Sequence, residues 1–262
     1  EFFNTSLSEE NPSLFGVDES EFEISKESPM FDGQYSNQCY SDRMQEAYEH
    51  FVKKNNTNPL ALEEWAGIIF HLPYAFHGKR VFVDLLVNEY VKNGKVETLE
   101  NAMGEKFPDD KAAQKDFIKR FAKSDFYKKI LKEKLEPGCK ASSEIGNMYT
   151  ASIFMSLVSH LYFEAKNNTQ LENKTLGFIA YGSGSKSKIY SGTISQNWKN
   201  AILKLELDKY LGNRNSITFE EYEAIHRKEK NALSKSKGFV LESIETEKEN
   251  YIGARNYVLK GD

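Results

Sequence analysis

Cysteine is scarce in this 262-residue chain, and long apolar runs are absent. The two cysteines, Cys39 and Cys139, are too few for a disulfide framework and lack the paired spacing of a zinc site. Such sparse cysteine is typical of a reducing compartment, so we expect a cytoplasmic protein. No apolar run approaches the ~20 residues of a membrane-spanning helix, and the first residues do not resemble a signal peptide. We therefore expect no membrane partner.

A strong charge of either sign is also missing. Lys and Arg together number 35 and Asp and Glu 39, which gives a net charge of −4. No overall field then favours nucleic acid, and we expect no nucleic-acid partner. The sequence contains no metal-ligand constellation, phosphate-binding loop or dinucleotide fingerprint. We expect no metal site and no bound cofactor.

The remaining composition is that of a folded protein. Hydrophobic residues make up 39% and aromatic residues 13%, which argues against disorder. The length permits one large domain or two small ones. Residues 1–29 are polar and acidic, and we interpret them as a loose N-terminal segment. Because the first residue is Glu1 and not Met, we expect a fragment, a processed chain or one half of a larger protein.

Apolar spacing predicts a mixed α/β fold. Helical periodicity covers residues 41–54, with Ser41 as the expected N-cap, and residues 148–165. An apolar run over residues 66–70 predicts a buried strand, and residues 175–181 and 188–194 predict a hairpin. Strands and helices in this order indicate layered α/β packing.

The stretch between residues 95 and 140 is predominantly helical in pattern. Within it, Pro137 and Gly138 are predicted to end a helix, because both residues interrupt helices. Cys139 would then lie in a connecting turn and be inert. Ser152, Ser156 and Ser159 lie along one side of the next helix and predict close packing against a neighbour.

His71 is the first candidate functional residue. It ends the predicted buried strand, and Pro73 follows where the chain leaves the sheet. An imidazole at such a position can reach a ligand and titrates near neutral pH. From the position alone, a buried structural histidine bonded to backbone remains the alternative.

Two further segments carry candidate ligand-binding groups. Asn147, at the expected start of a helix, can donate from its amide to a thioester or carboxylate oxygen, or can serve as an N-cap. Ser183 lies in a glycine-rich turn, where backbone can approach a ligand closely, although the same residues suit a simple hairpin turn. Tyr181 can line the same cavity or belong to the core.

Four segments stand out along the chain: residues 31–40 (FDGQYSNQCY), 69–74 (IFHLPY), 146–150 (GNMYT) and 177–184 (GFIAYGSG). In that order they resemble the C-terminal half of 3-hydroxy-3-methylglutaryl-CoA synthase, a family of the thiolase-like superfamily. The third is identical to the family segment and the others are similar. One such match would be weak, whereas four at similar intervals are specific.

The resemblance implies a thiolase-like layered α/β/α fold. Residues 1–262 would form the C-terminal domain, with residues 95–140 as an appended helical insertion. The implied reaction joins an acetyl group, carried on an enzyme cysteine from acetyl-CoA, to acetoacetyl-CoA, and gives HMG-CoA for the mevalonate pathway. The nucleophilic cysteine and an acid/base glutamate are expected in an absent N-terminal half. This chain alone would be inactive, and the complete enzyme would be a homodimer.

The resemblance also implies roles for individual residues. His71 would contact the acetoacetyl group as the catalytic residue, and Asn147 and Ser183 would bind substrate. Tyr181 would line the same cavity.

In the family, basic residues that contact the coenzyme A phosphates lie in the region of Lys79 and Arg80. Of the two family lysines, however, the one closer in sequence to His71 corresponds to Phe76. This departure leaves two alternatives open: a related enzyme of polyketide β-branching that acts on carrier-protein acyl groups, and a non-catalytic acyl-CoA-binding subunit.

Overall fold

The computed structural model describes residues 32–55, 60–182, 184–230 and 238–261, which fall into two units, 1–212 and 213–262. The predicted loose segment 1–29 and Ser183 lie outside the described residues. Within these ranges, no helix combines the length and hydrophobicity needed to cross a bilayer. The assignment of residues 1–262 to one family domain stays a prediction.

The larger unit is mostly helical and contains one small sheet. Its helices are α1 (Gly33–Asn55), α2 (Ala61–Glu64), α3 (His77–Lys92), α4 (Val96–Met103), α5 (Lys111–Phe121), α6 (Asp125–Lys134), α7 (Glu136–Ile145), α8 (Ser152–Lys166), α9 (Trp198–Leu203) and α10 (Leu207–Gly212). Its strands are β1 (Gly67–Phe70), β2 (Thr175–Gly182) and β3 (Lys186–Thr193), which confirms the predicted strand and hairpin.

The sheet lies between two helical layers. Strand β1 runs parallel to β2, which pairs antiparallel with β3. Side chains alternate between the faces: Ile68 and Phe70 enter the core formed with α1 to α6, whereas Ile69 enters the core formed with α8 to α10. On β2, Ile179 enters the first of these cores and Leu176 enters the second. The arrangement confirms the predicted layered α/β/α fold.

Helix α1 begins earlier than the sequence pattern predicts. The Asp32 carboxylate accepts the backbone N–H groups of Gln34 at 2.9 Å and Tyr35 at 3.0 Å, and so caps the helix. The predicted N-cap at Ser41 is therefore wrong, because Ser41 lies within α1.

The predicted helical stretch 95–140 packs into the first core. Its apolar residues Leu99, Phe117, Phe121 and Tyr127 are at most 1% exposed. The stretch is thus an integral part of the larger unit, while its status as an insertion relative to the family stays a prediction.

The prediction that Pro137 and Gly138 end a helix is wrong, because both lie in the first turn of α7. Proline suits that turn because its missing N–H would have no partner there. A Cβ on Gly138 would meet Ser156 Oγ at 2.8 Å, so the glycine permits close contact with α8. Cys139 accordingly lies buried within α7 and not in a connecting turn.

Helix α8 packs closely on α7 through the serines predicted to form its small face. Ser159 Oγ donates to the Pro137 carbonyl at 2.6 Å and accepts from the Ala141 N–H at 3.1 Å. Ser152, Ser156 and Ser159 are each at most 1% exposed. These contacts confirm the predicted close packing and set the position of α8.

The smaller unit contains helix α11 (Phe219–His226) and strands β4 (Gly238–Ile244) and β5 (Arg255–Lys260). Thr218 and Glu221 form a reciprocal capping box at the start of α11. The two strands pair antiparallel, as their alternating sequence suggests.

Candidate active site

The backbone of His71 is held on both sides where β1 ends. Its N–H donates to the Ile179 carbonyl of β2 at 3.0 Å. Its carbonyl accepts the hydroxyl of Tyr40, on α1, at 2.7 Å. The sheet and the first helix together therefore place this residue.

The imidazole of His71 contacts the start of α8. Its Nδ1 lies 2.8 Å from Ser152 Oγ, and the same Oγ accepts the backbone N–H of Leu72 at 3.1 Å. Partial burial lowers the pKa of His71 below its usual value of 6.5. The ring is consequently neutral near pH 7 and keeps one N–H donor.

An aromatic cluster that includes Tyr181 lies beside this histidine. The Tyr181 ring centroid lies 6.3 Å from that of His71 and 4.8 Å from that of Tyr40. His77 packs edge-on against Tyr40 at 4.0 Å and against Tyr74 at 4.7 Å. Burial, followed by the charge of Arg80, lowers the pKa of His77 to about 4, so this second imidazole is a neutral packing element.

Asn147 lies in an exposed turn before α8. Its Oδ1 accepts the N–H of Tyr149 at 2.8 Å, and a 3-10 turn, Tyr149–Ala151, leads into the helix at Ser152. An N-cap role on α8 is therefore wrong, since Ala151 holds that position. Because the amide oxygen is used locally, the Nδ2 group is left as the donor for a ligand.

Lys79 and Arg80 lie in the first turn of α3. Lys79 Nζ pairs with Glu136 Oε1 at 2.9 Å, while Arg80 is exposed. A cavity of about 290 Å³ separates this turn from α7. The residues that line it are Ala75, Phe76, Lys79, Glu136, Cys139, Lys140 and Ser143.

Cys139 does not have the character of a nucleophile. Burial raises the pKa of Cys139 to about 11, so the group is a neutral thiol. Cys39 lies inside α1 and is partly buried. Across the ranges that the structure describes, no cluster of three or more His, Cys, Asp or Glu side chains could hold a metal ion.

The structure brings some of the sequence-predicted residues together. The rings of His71 and Tyr181 are neighbours. Asn147 lies just before the 3-10 turn that leads to Ser152, and Ser152 contacts the His71 ring. Lys79 and Arg80 follow on the next helix, and Ser183 lies outside the described residues.

Sequence reasoning assigned no functional role to two neighbours of His71, Tyr40 and Ser152. In the sequence, Tyr40 is visible as the last residue of the first matched segment. Ser152 is visible as the first of the three serines that lie along one side of the predicted helix.

Comparisons with known proteins give one consistent result. The family model described as "Hydroxymethylglutaryl-coenzyme A synthase C terminal" matches residues 20–252. A Hydroxymethylglutaryl-CoA synthase of Haloferax volcanii is 27% identical over 221 residues, which are 80% of this chain and 49% of that protein. The cytoplasmic Hydroxymethylglutaryl-CoA synthase of Homo sapiens is 29% identical over 185 residues, 65% of this chain and 35% of that protein. The chain thus spans half or less of these curated relatives.

Solved structures agree in fold. MvaS in complex with 3-hydroxy-3-methylglutaryl coenzyme A aligns with a TM-score of 0.65 and 26% identity, covering 91% of this chain and 53% of that one. PksG, a HMG-CoA synthase from Bacillus subtilis, has a TM-score of 0.62 and 17% identity, with 90% and 53% covered. The Curacin biosynthetic pathway HMG synthase, in complex with holo donor-ACP, has a TM-score of 0.62 and 20% identity, with the same coverage. The last two show likeness of fold alone.

Proposed function

The chain belongs to the hydroxymethylglutaryl-CoA synthase C-terminal family, and we propose that it is the C-terminal half of an acyltransferase of this type. The complete enzyme would condense an acetyl group held on its cysteine with acetoacetyl-CoA to give HMG-CoA, a step of the mevalonate pathway. The observation that carries the proposal is His71, a neutral imidazole fixed at the end of a buried strand beside Tyr181. We also propose that the protein is located in the cytoplasm.

His71 would act on the ketone that is attacked. The acetyl carbanion forms a carbon–carbon bond to the ketone carbon, and the carbonyl electron pair moves onto oxygen. A donor imidazole hydrogen-bonded to that oxygen stabilises the developing alkoxide and supplies its proton. Because the His71 backbone is held by β2 and α1 and its ring by Ser152 of α8, little reorganisation accompanies the step.

The other candidate residues would bind the acyl-CoA. Asn147 would donate its Nδ2 group to a thioester oxygen, and Ser183 would contact substrate from the glycine-rich turn. Tyr181 would form an apolar wall. Arg80, exposed at the start of α3, suits a phosphate, since guanidinium binds phosphate in a bidentate manner. Lys79 would have to exchange its Glu136 partner for the phosphate.

The nucleophile would come from an N-terminal half, because Cys139 is a buried neutral thiol and Cys39 lies within α1, in a segment that does not correspond to the family nucleophile. Exposed apolar side chains on the segments that carry the site support a docking face for that half. These side chains, each at least 44% exposed, are Tyr74, Phe76, Ile145, Tyr149 and Phe154. The isolated chain should not turn over substrate, and the complete enzyme is proposed to be a homodimer.

Separate assays of the two partial reactions test this proposal in the full-length protein. His71→Ala should leave acetylation of the nucleophile within about twofold and slow condensation by ~10²-fold or more, the range for loss of one positioned donor. His50→Ala is the matched control, because His50 is exposed on α1. Equal losses in both partial reactions would contradict the role assigned to His71.

A second candidate function is condensation on a carrier-protein arm. Phe76, where the resemblance expects lysine, is 63% exposed and lines the cavity beside Lys79. An apolar side chain there suits the pantetheine arm better than a free phosphate. Comparison of kcat/KM for acetoacetyl-CoA and for an acetoacetyl carrier protein separates the two. Absence of condensation with both substrates would favour a non-catalytic acyl-CoA-binding subunit.

A further inference from the structure

We propose that Ser152 is a positioning residue that holds His71 in the tautomer with its proton on Nε2 and so aims an N–H donor at the substrate. The kinetic consequence rests on the proposed function of His71. The assignment of the tautomer rests on the hydrogen-bond geometry alone.

The hydrogen-bonding capacity of one hydroxyl decides the tautomer. Ser152 is fully buried, and its Oγ already accepts the Leu72 N–H, a group that can only donate. The hydroxyl has one proton of its own, and His71 Nδ1 lies 2.8 Å away. Donation of that proton to Nδ1 makes Nδ1 an acceptor and leaves the hydrogen on Nε2.

The reverse arrangement is less favourable. If Nδ1 carried the proton, Oγ would accept two hydrogen bonds, and the serine proton would need another acceptor inside a fully buried environment. A buried hydroxyl proton without a partner is costly. The relay from Leu72 N–H through Ser152 to Nδ1 satisfies all three groups.

The same contact fixes the orientation of the ring. Oγ bridges the His71 side chain and the backbone of the next residue, Leu72, so rotation of the imidazole breaks the bridge. Helix α8 cannot easily withdraw Ser152, because Ser159 is hydrogen-bonded to the Pro137 carbonyl and the Ala141 N–H of α7.

The tautomer matters for the reaction. A neutral imidazole with its proton on Nε2 presents a donor to a carbonyl oxygen. The opposite tautomer presents a lone pair to that oxygen, which is repulsive and supplies no proton. A change of tautomer would thus reduce condensation and leave the chemistry of a distant nucleophile unaffected.

The test uses the full-length protein labelled with ¹⁵N-histidine. Long-range ¹H–¹⁵N correlation distinguishes a protonated from an unprotonated ring nitrogen, and the resonances lost in His71→Ala identify His71. Ser152→Ala removes the bridge. Ser156→Ala is the matched control, because Ser156 is one turn further along α8 and only 1% exposed. Ser152→Thr retains a hydroxyl on the same Cβ.

The wild-type protein should show His71 with its proton on Nε2. Ser152→Ala should give a mixture of tautomers and slow condensation by roughly 10- to 100-fold, the range for removal of a group that orients a functional histidine. Acetylation of the nucleophile should stay within about twofold, Ser156→Ala should match wild type, and Ser152→Thr should restore the tautomer.

Two results would overturn the inference: a wild-type His71 protonated on Nδ1, or a folded Ser152→Ala protein with the wild-type tautomer and condensation rate. If Ser152→Ala does not fold, the wild-type spectrum alone decides. If Ser152→Ala shifts the tautomer of His71 but His71→Ala condenses substrate at the wild-type rate, the proposed function is rejected and the positioning role of Ser152 stands.

Discussion

Glu89 is a buried carboxyl whose replacement should change how stability depends on pH. It is 3% exposed, and its Oε1 accepts the Tyr48 hydroxyl and, at 3.0 Å, the Leu62 N–H. Its Oε2 is buried without a partner among the described residues. Burial raises the pKa of Glu89 from 4.5 to about 7.

The direction of the effect follows from this raised pKa. The native state binds the proton of Glu89 more tightly than the unfolded state, so the contribution is complete below pH 4.5 and is lost as pH rises through about 7. A change in pKa from 4.5 to about 7, at about 1.4 kcal/mol per unit, corresponds to about 3 to 4 kcal/mol in the free energy of unfolding.

Glu89→Gln keeps the shape of the protonated carboxyl and cannot ionise. The difference in unfolding free energy between the Glu89→Gln variant and wild type should therefore grow by about 3 kcal/mol, in favour of the variant, between pH 4.5 and pH 8. Urea unfolding at pH 4.5, 6 and 8, followed by far-UV circular dichroism, measures this difference.

Other titrating groups are common to both proteins and cancel in the comparison. Glu97→Gln is the control, because Glu97 is exposed on α4, and it should stay within about 0.5 kcal/mol of wild type at each pH. Parallel stability curves for Glu89→Gln and wild type would refute the assignment of a raised pKa to this carboxyl.

Two further changes test the packing around the sheet. Gly177→Ala should destabilise the protein by about 3 kcal/mol or more, because the new Cβ would lie 1.8 Å from the buried Trp65 ring. The control is Gly192→Ala, whose Cβ would meet Phe178 at 3.6 Å. Equal melting temperatures of the two variants in thermal unfolding would contradict the clash. Burial lowers the pKa of His160 to about 4, so the unfolded state takes up the proton first as pH falls, and the wild-type protein loses stability. In His160→Leu, the decrease in unfolding free energy between pH 6.5 and pH 4 should therefore be smaller by about 3 kcal/mol. An unchanged decrease in urea unfolding would exclude this effect.

The sheet and the layered fold were predictable because their signals are local. A short continuous apolar run identifies β1, and two strand-like segments on either side of a glycine-rich turn identify the β2–β3 hairpin. The position of His71 follows from the same pattern, since a strand end is visible as the point where the apolar run stops.

Helix limits were predicted less well because they depend on tertiary contacts. Pro137 and Gly138 interrupt helices in general, yet here the proline occupies a first turn and the glycine admits the side chain of Ser156. Asn147 resembles an N-cap, but an intervening 3-10 turn moves the helix start to Ser152. Neither outcome is visible without the neighbouring helix.

The groups that position His71 are remote in sequence, and this explains why sequence reasoning did not assign them. Ser152 is 81 residues away and Tyr40 is 31 residues away. Both contacts form only when α1 and α8 pack on opposite faces of the sheet. The imidazole ring is held by the first residue of α8, and the Asn147 turn leads directly into that residue. A displacement of α8 along α7 would therefore move the ring contact and the amide donor together, so loss of the Ser159 hydrogen bonds that join α8 to α7 should alter both functional groups at once and not either one alone.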